Sequence, residues 1–125
     1  MRIRNAVAKD ARAIRTLIKA FPEKLLQDHL PPLKCFFVCE NEKKIVACCA
    51  LEIYSKRLAE IRSLAVAKKY QGKGYASALI LHCLKEARKE KVYEVLSVTG
   101  AVALFEKNGF STFNNEKYAL LKILG

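Results

Sequence analysis

The stretch Gln71-Gly72-Lys73-Gly74-Tyr75-Ala76 has the residue types needed to hold an anion on its backbone. Gly72 and Gly74 carry no Cβ to keep a ligand away and can adopt positive φ, so successive N–H groups can converge on one phosphate. A helix beginning directly after the loop adds unpaired first-turn N–H groups and the positive end of its dipole. The dipole contributes roughly 0.3–1 kcal/mol. Each charge-assisted N–H bond contributes about 1.5–3 kcal/mol, so aimed backbone donors carry most of the binding. Lys68, Lys69 and Lys73 add positive charge beside them. Spacing excludes a P-loop, since Ala67 stands where its first glycine belongs and Gly74 where its Ser or Thr belongs. A dinucleotide fingerprint requires an early strand in a parallel unit, and this strand comes late. On the hexapeptide alone, a plain strand-to-helix turn that uses glycine for geometry remains the alternative.

The loop must be positioned by what flanks it. Leu58–Val66 reads as a strand entering it, and Gly74 to about Glu90 as a helix with an apolar stripe at Ala76, Leu79, Ile80, Cys83, Leu84 and Ala87. Val92–Val98 then reads as a strand parallel to the first. Upstream, Arg2–Val7 is a short strand, and Asp10 is an N-cap for a helix whose stripe is Ala11, Ile14, Leu17, Ile18 and Phe21. Glu23–Leu30 reads as a short helix ended by Pro31-Pro32. Cys35–Cys39 and Ile45–Tyr54 form a hairpin, the second strand apolar on both faces and hence central. Downstream, Gly100–Lys107 is a helix closed by Asn108-Gly109, and Phe110–Phe113 pairs with Tyr118–Leu124 as a terminal hairpin across Asn114–Lys117. His29 and His82 lie off the apolar stripes and read as solvated.

The 125 residues suffice for one domain, 1–125, and no repeat or low-complexity tract divides them. The longest apolar run, Val46–Leu51, is too short to span a bilayer. The basic N-terminal segment has the composition of a transit peptide, but it also fits the first strand and helix, which is the reading adopted. Five cysteines without a C-x-x-C pair argue against a disulfide framework and a zinc site; free thiols fit a reducing, cytoplasmic compartment. A formal charge of +11 selects for an anionic substrate or partner without saying which.

In this order, Q-G-K-G-Y-A between the fourth strand and the long helix resembles the GNAT superfamily of acetyl-CoA-dependent N-acetyltransferases. Gln71, Gly74 and Ala76 meet the superfamily signature, and S-L-A-V-A-K-K-Y, A-L-F-E-K-N-G-F and I-R-N-A-V-A-K-D-A-R-A-I are similar to its other segments. A-C-C-A-L, L-A-E-I-R-S-L-A-V and V-L-S-V-T-G-A-V-A-L-F are similar to the acetyltransferase domain of N-acetylglutamate synthase and its short stand-alone relatives. The resemblance implies an α/β fold: strand, two helices, three strands, helix, strand, helix, two strands. Its mixed sheet would be mostly antiparallel, with the fourth and fifth strands parallel.

The resemblance also implies a site. The pantetheine arm of acetyl-CoA would bond along Leu64, Ala65 and Val66, with the Leu64 N–H facing the acetyl carbonyl. The pyrophosphate would lie on Gly72, Lys73, Gly74, Tyr75 and Ala76, with Gln71 shaping the turn and Thr99 and Phe105 across from them. Glu60 is the general-base candidate, sharing a strand face with Leu64 unless a bulge intervenes; the alternative is a solvated glutamate paired with Arg62 or Arg57. Phe105 departs from the family's usual thiolate-protonating tyrosine, with Tyr75, Tyr93 and Tyr118 as unranked substitutes. At a thiol pKa near that of cysteine, the missing acid costs only about 2 kcal/mol at pH 7. No metal is expected. The acceptor would be a small-molecule amine of glutamate type, with a protein N-terminus or lysine as alternative, and a homodimer is the family default. The competing classes are an acyl-CoA sensor and a basic nucleic-acid-binding module, the latter suggested by the charge and by Lys68-Lys69-Tyr70 with Lys73 and Tyr75; nucleic acid is not the expected partner.

Overall fold

The structure, a computed structural model, describes residues 1–112 and 116–125. Its sheet follows chain order: β1 (Arg2–Asn5), β2 (Phe36–Asn41), β3 (Lys44–Ile53), β4 (Leu58–Val66) and β5 (Glu94–Leu96). Neighbours are antiparallel except for β4 and β5, which are parallel. The helices are α1 (Ala11–Lys19), α2 (Tyr75–Lys89) and α3 (Val102–Glu106). This is the expected mixed α/β sheet.

Alternation along the strands divides the core between two faces. Phe36, Val38, Cys48 and Ala50 pack with Ile14, Leu17 and Ile18 of α1. Phe37, Cys39, Ala47, Cys49 and Leu51 pack with Leu79, Ile80 and Cys83 of α2. Strand β3 is therefore covered on both sides, which explains its unbroken apolar run. Its two adjacent thiols serve opposite faces. Burial pushes the Cys48 thiol up to about 12. Cys49, which accepts a hydrogen bond from the free Cys83 thiol at 3.8 Å and is fully enclosed, is held well above the usual thiol range. Both act as small apolar fillers.

Asp10 is the buried charged residue of this core, and it works one turn earlier than expected of a helix cap. Its carboxylate accepts two bonds from Arg4, at 2.7 and 3.0 Å, and one from the Val7 N–H at 2.8 Å. Arg4 also donates to Glu40 on β2. The Arg4 bonds hold the Asp10 pKa down to about 2. A depressed carboxylate contributes stability that is complete above its ordinary value and lost as pH falls toward the folded one. Asp10→Asn is expected to destabilise by about 1–3 kcal/mol at pH 7. The gap between variant and parent in denaturant unfolding should close between pH 3.8 and pH 2.

Among the described residues two expected elements are not seen. Residues 23–30 make turns instead of a helix. The Gln27 amide donates to the carbonyls of Ile18 and Leu25, at 3.0 and 3.1 Å, competing with helical bonding, and His29 adopts φ 57°. The terminal hairpin is also missing among the described residues: 110–112 and 118–124 lie outside the strands, and 113–115 lie outside the description. Leu120, Leu121, Ile123 and Leu124 remain largely exposed. Adjacent leucines break the alternation that would seat one face on a sheet. His82 is half-buried with its ring edge-on to Phe37, centroids 4.5 Å apart, so it belongs to the packing and not to the solvent. Burial, its largest influence, lowers its pKa.

Candidate functional site

Strands β4 and β5 keep register through Leu58↔Glu94, Ala59↔Val95 and Glu60↔Leu96. Beyond that point they are no longer paired. Ser97 closes the apex, its hydroxyl donating to the Ile61 carbonyl at 3.1 Å. Above it opens a cleft of about 910 Å³, bounded by β4, the segment leading into α3 and the loop before α2. Leu64, Ala65, Val66, Gln71, Gly72, Gly74, Tyr75, Ala76, Thr99 and Phe105 all line it. Of the residues expected at the site, Lys73 and Glu60 lie outside this lining.

The glycine loop has the geometry its composition predicts. After β4 a short turn, 68–70, leads to Gly72 at φ 75° and Gly74 at φ 90°. Both values lie in the region that favours glycine, and a Cβ built on either residue meets nothing within 4 Å. The open space on that side is what a close-approaching ligand needs. The Gln71 amide donates to the Val66 carbonyl at 3.0 Å, tying the loop back to the strand it leaves. Gly74 is the N-cap of α2 and gives no side-chain bond to the first turn, which holds no acidic residue. The ammonium groups of Lys69 and Lys73 stand 5.5 and 5.7 Å from the Tyr70 ring centroid, concentrating positive charge at the loop. Glycine backbone, capless helix start and lysines suit a pyrophosphate.

Strand β4 changes hand halfway along the cleft. Its register with β3 runs Cys48↔Ala65 and then Ala50↔Arg62, leaving both Ser63 and Leu64 opposite Cys49. Ser63 takes φ 56°, unusual for a residue with a side chain. This is a bulge. Before it, Ala59 and Ile61 face α2; after it, Leu64 and Val66 do so, while Ala65 faces α1. The expectation that Glu60 shares a face with Leu64 is therefore overturned: Glu60 and Arg62 point to the α1 face and Leu64 to the other.

On the α1 face Glu60 stands directly opposite Glu52 of β3. Each carboxylate has its own partner. Glu52 accepts from Arg62 at 2.5 Å, and Glu60 accepts from the Tyr54 hydroxyl at 2.6 Å. Burial and the bond to Glu60 push the Tyr54 phenol up to about 12, so it remains a donor. Arg62 also donates to the His29 carbonyl at 3.0 Å, tying β4 to the 21–30 segment, whose Phe21, Glu23, Lys24 and Leu25 line the cleft. Burial opposes the charge on Arg62, but the Glu52 bond and the nearby carboxylates outweigh it and raise its pKa. The alternative pairing of Glu60 with Arg62 or Arg57 does not occur, since Arg57 bonds Glu94 at 3.0 Å. Sequence reasoning names Arg62 only as a pairing partner for Glu60 and does not reach Glu52 or Tyr54; the even spacing of Glu60 and Arg62 along β4 is the signal that puts those two on one face.

Among the tyrosines weighed as proton donors, Tyr93 and Tyr118 are well exposed and line no part of the cleft. Tyr75 lines it but is buried, with its ring against Tyr70 at 5.8 Å. Phe105 lies in the lining, its ring edge-on to Phe110 at 5.1 Å. Among the described residues no group of His, Cys, Asp and Glu could hold a metal ion, and no helix is long and apolar enough to cross a membrane.

Comparison with known proteins agrees with this geometry. The family model "Acetyltransferase (GNAT) family" matches residues 5–110. An amino-acid acetyltransferase of Mycobacterium tuberculosis is 31% identical over 117 residues, covering 87% of this chain and 67% of that protein. The crystal structure of Rv2747 from the same organism, in complex with CoA, superposes with a TM-score of 0.85 at 28% identity, over 90% of this chain and 73% of the other. N-acetylglutamate synthase from Neisseria gonorrhoeae, complexed with coenzyme A and N-acetyl-glutamate, gives a TM-score of 0.81 at 26% identity; the match covers 93% of this chain and only 30% of that longer one. With a family match over most of its length and a parallel β4/β5 fork ending in a glycine cradle, the chain belongs to the GNAT family of N-acetyltransferases.

Proposed function

We propose that the chain transfers the acetyl group of acetyl-CoA to the α-amine of a small amino acid of glutamate type, by direct attack in a ternary complex. The observation that carries this reading is the continuity of the cleft. Its lining includes both the glycine loop, at Gly72 and Gly74, and Arg62 of β4. Amino-acid acetyltransferase activity among the relatives supports the choice of acceptor.

Acetyl-CoA supplies the acyl group already activated as a thioester. In this reading Gly72 to Ala76 hold its pyrophosphate, with Lys73 contributing charge, and Leu64 to Val66 line its arm. The bulge at Ser63 takes a stretch of β4 out of the ladder, and the Leu64 N–H is assigned to the acyl oxygen. Glu60 takes a proton from the incoming ammonium, directly or through water. The N–C bond forms as the C–S bond breaks, and the second proton of the attacking nitrogen is released to solvent, from which the departing thiolate is protonated, since Phe105 offers no proton. At pH 7 that costs about 2 kcal/mol for a thiol of ordinary pKa.

Free-thiol release from acetyl-CoA, measured over amino acids, polyamines and peptides, tests the assignment. Glutamate-type amino acids should raise release well above background hydrolysis. Preferential response to peptide N-termini or lysine would redirect the reading to protein acetylation. Coenzyme A binding without any productive acceptor would leave a sensor.

A further inference from the structure

We infer that Arg62 is the acceptor's α-carboxylate receptor, which makes the enzyme select free α-amino acids over amines that lack that group. This deepens the proposed function and rests on it.

Arg62 and Glu60 are two residues apart on the same side of β4, about 6.6 Å along it. A free α-amino acid carries its ammonium and carboxylate on one carbon, so it presents opposite charges over a span that fits between them. Glu60 attracts the ammonium and Arg62 the carboxylate. The two sites are chemically ordered, since only the carboxylate can take the proton that the amine must lose.

Arg62 is built for the receiving role. Its side chain is 21% exposed and lines the cleft, whereas Lys24, also in the lining, is an exposed surface residue. Two bonds hold the guanidinium, to Glu52 and to the His29 carbonyl, which engage two of its five N–H groups. Held in that way it loses little freedom on binding a carboxylate, and its planar fork matches one. Its cross-strand neighbour is Ala50, and Ala65 follows on the same face beyond the bulge. Neither side chain is large enough to cover the guanidinium. Phe21 and Leu25 supply apolar walls above.

Arg62, Glu52 and Glu60 together carry one net negative charge, so selection for a carboxylate rests on the guanidinium's remaining N–H donors and not on net charge. A peptide N-terminus would bring its ammonium to Glu60 but no carboxylate to Arg62. A lysine side chain would do the same.

The test uses the full chain and thiol release with three acceptors: L-glutamate, its γ-amide L-glutamine, and its α-amide. The expected result is that kcat/KM for L-glutamate exceeds that for the α-amide by about 30-fold, the scale of one charge-assisted hydrogen bond. In Arg62→Gln that ratio should collapse to about 3 or less, while Arg62→Lys, which keeps a charge without the fork, should restore part of it. Glutamine, which keeps the α-carboxylate, should follow glutamate in all three proteins. A parent ratio near one, or a ratio unchanged in Arg62→Gln, overturns the assignment while leaving acetyl transfer to amines intact. The parent ratio needs no variant, so a poorly folding Arg62→Gln does not remove the test. If no amine raises thiol release although coenzyme A binds saturably, the proposed function itself fails and this inference falls with it.

Discussion

Replacing Glu60 with glutamine is expected to lower kcat/KM for the acceptor by about 100-fold, the low end of what a positioned general base contributes. Affinity for coenzyme A should stay within about twofold of the parent, because Glu60 stands outside the cleft lining that the glycine loop and Leu64 to Val66 share. The substitution keeps the shape of the side chain and an acceptor oxygen for the Tyr54 hydroxyl, so folding should survive. It removes the negative charge and with it the capacity to take a proton. Titrating coenzyme A by calorimetry and measuring single-turnover transfer on the same preparation separates the two effects. Unchanged transfer would dismiss Glu60 as the base and leave the fold and cradle untouched; loss of coenzyme A binding would mean that the polar cluster on the α1 face is structural.

The second large effect is expected at Gly74. Gly74→Val should raise the dissociation constant for coenzyme A by at least about 30-fold, with a smaller rise for Gly74→Ala. At φ 90° a β-branched residue is strained whatever the space around it. The loop must relax toward negative φ, which rotates the peptide groups that begin α2 away from their shared target. Stability should fall by about 1–3 kcal/mol, so binding must be measured well below the unfolding temperature. Tight binding by Gly74→Val would show that the loop uses glycine for its turn alone.

Much of this arrangement was legible in the chain itself, for reasons that can be named. The apolar stripe of α2, the two-faced β3 and the polar turn after it are periodicity signals, and burial enforces them. Gln71 to Ala76 is readable because glycine is the residue that tolerates φ near 75° and 90°. The bulge carries no such mark: Ser63 adopts φ 56° with a side chain in place, and the surrounding ladder imposes it. That single unmarked residue separated Glu60 from Leu64 and misdirected the face assignment. The turns at 23–30 were hidden differently, because Leu25, Leu26 and Leu30 mimic a helical stripe while Gln27 takes carbonyls at Ile18 and Leu25. Arg62 carries no site signal in the sequence because its partners come from β3 and from the 21–30 segment, distant along the chain.

The bulge also records how this strand can absorb a change of length. Two residues, Ser63 and Leu64, stand where the facing strand has only Cys49. Deleting one of them would leave plain alternation with Ala65 and Val66 still on their present faces, whereas an unbulged strand of the same length would send Leu64 and Val66 toward α1 and Ala65 toward α2. The extra residue is therefore taken up locally, and the walls of both cores stay where they are. For lineages descending from such a sequence, β4 behaves like a line of verse that carries one unstressed syllable without losing its metre.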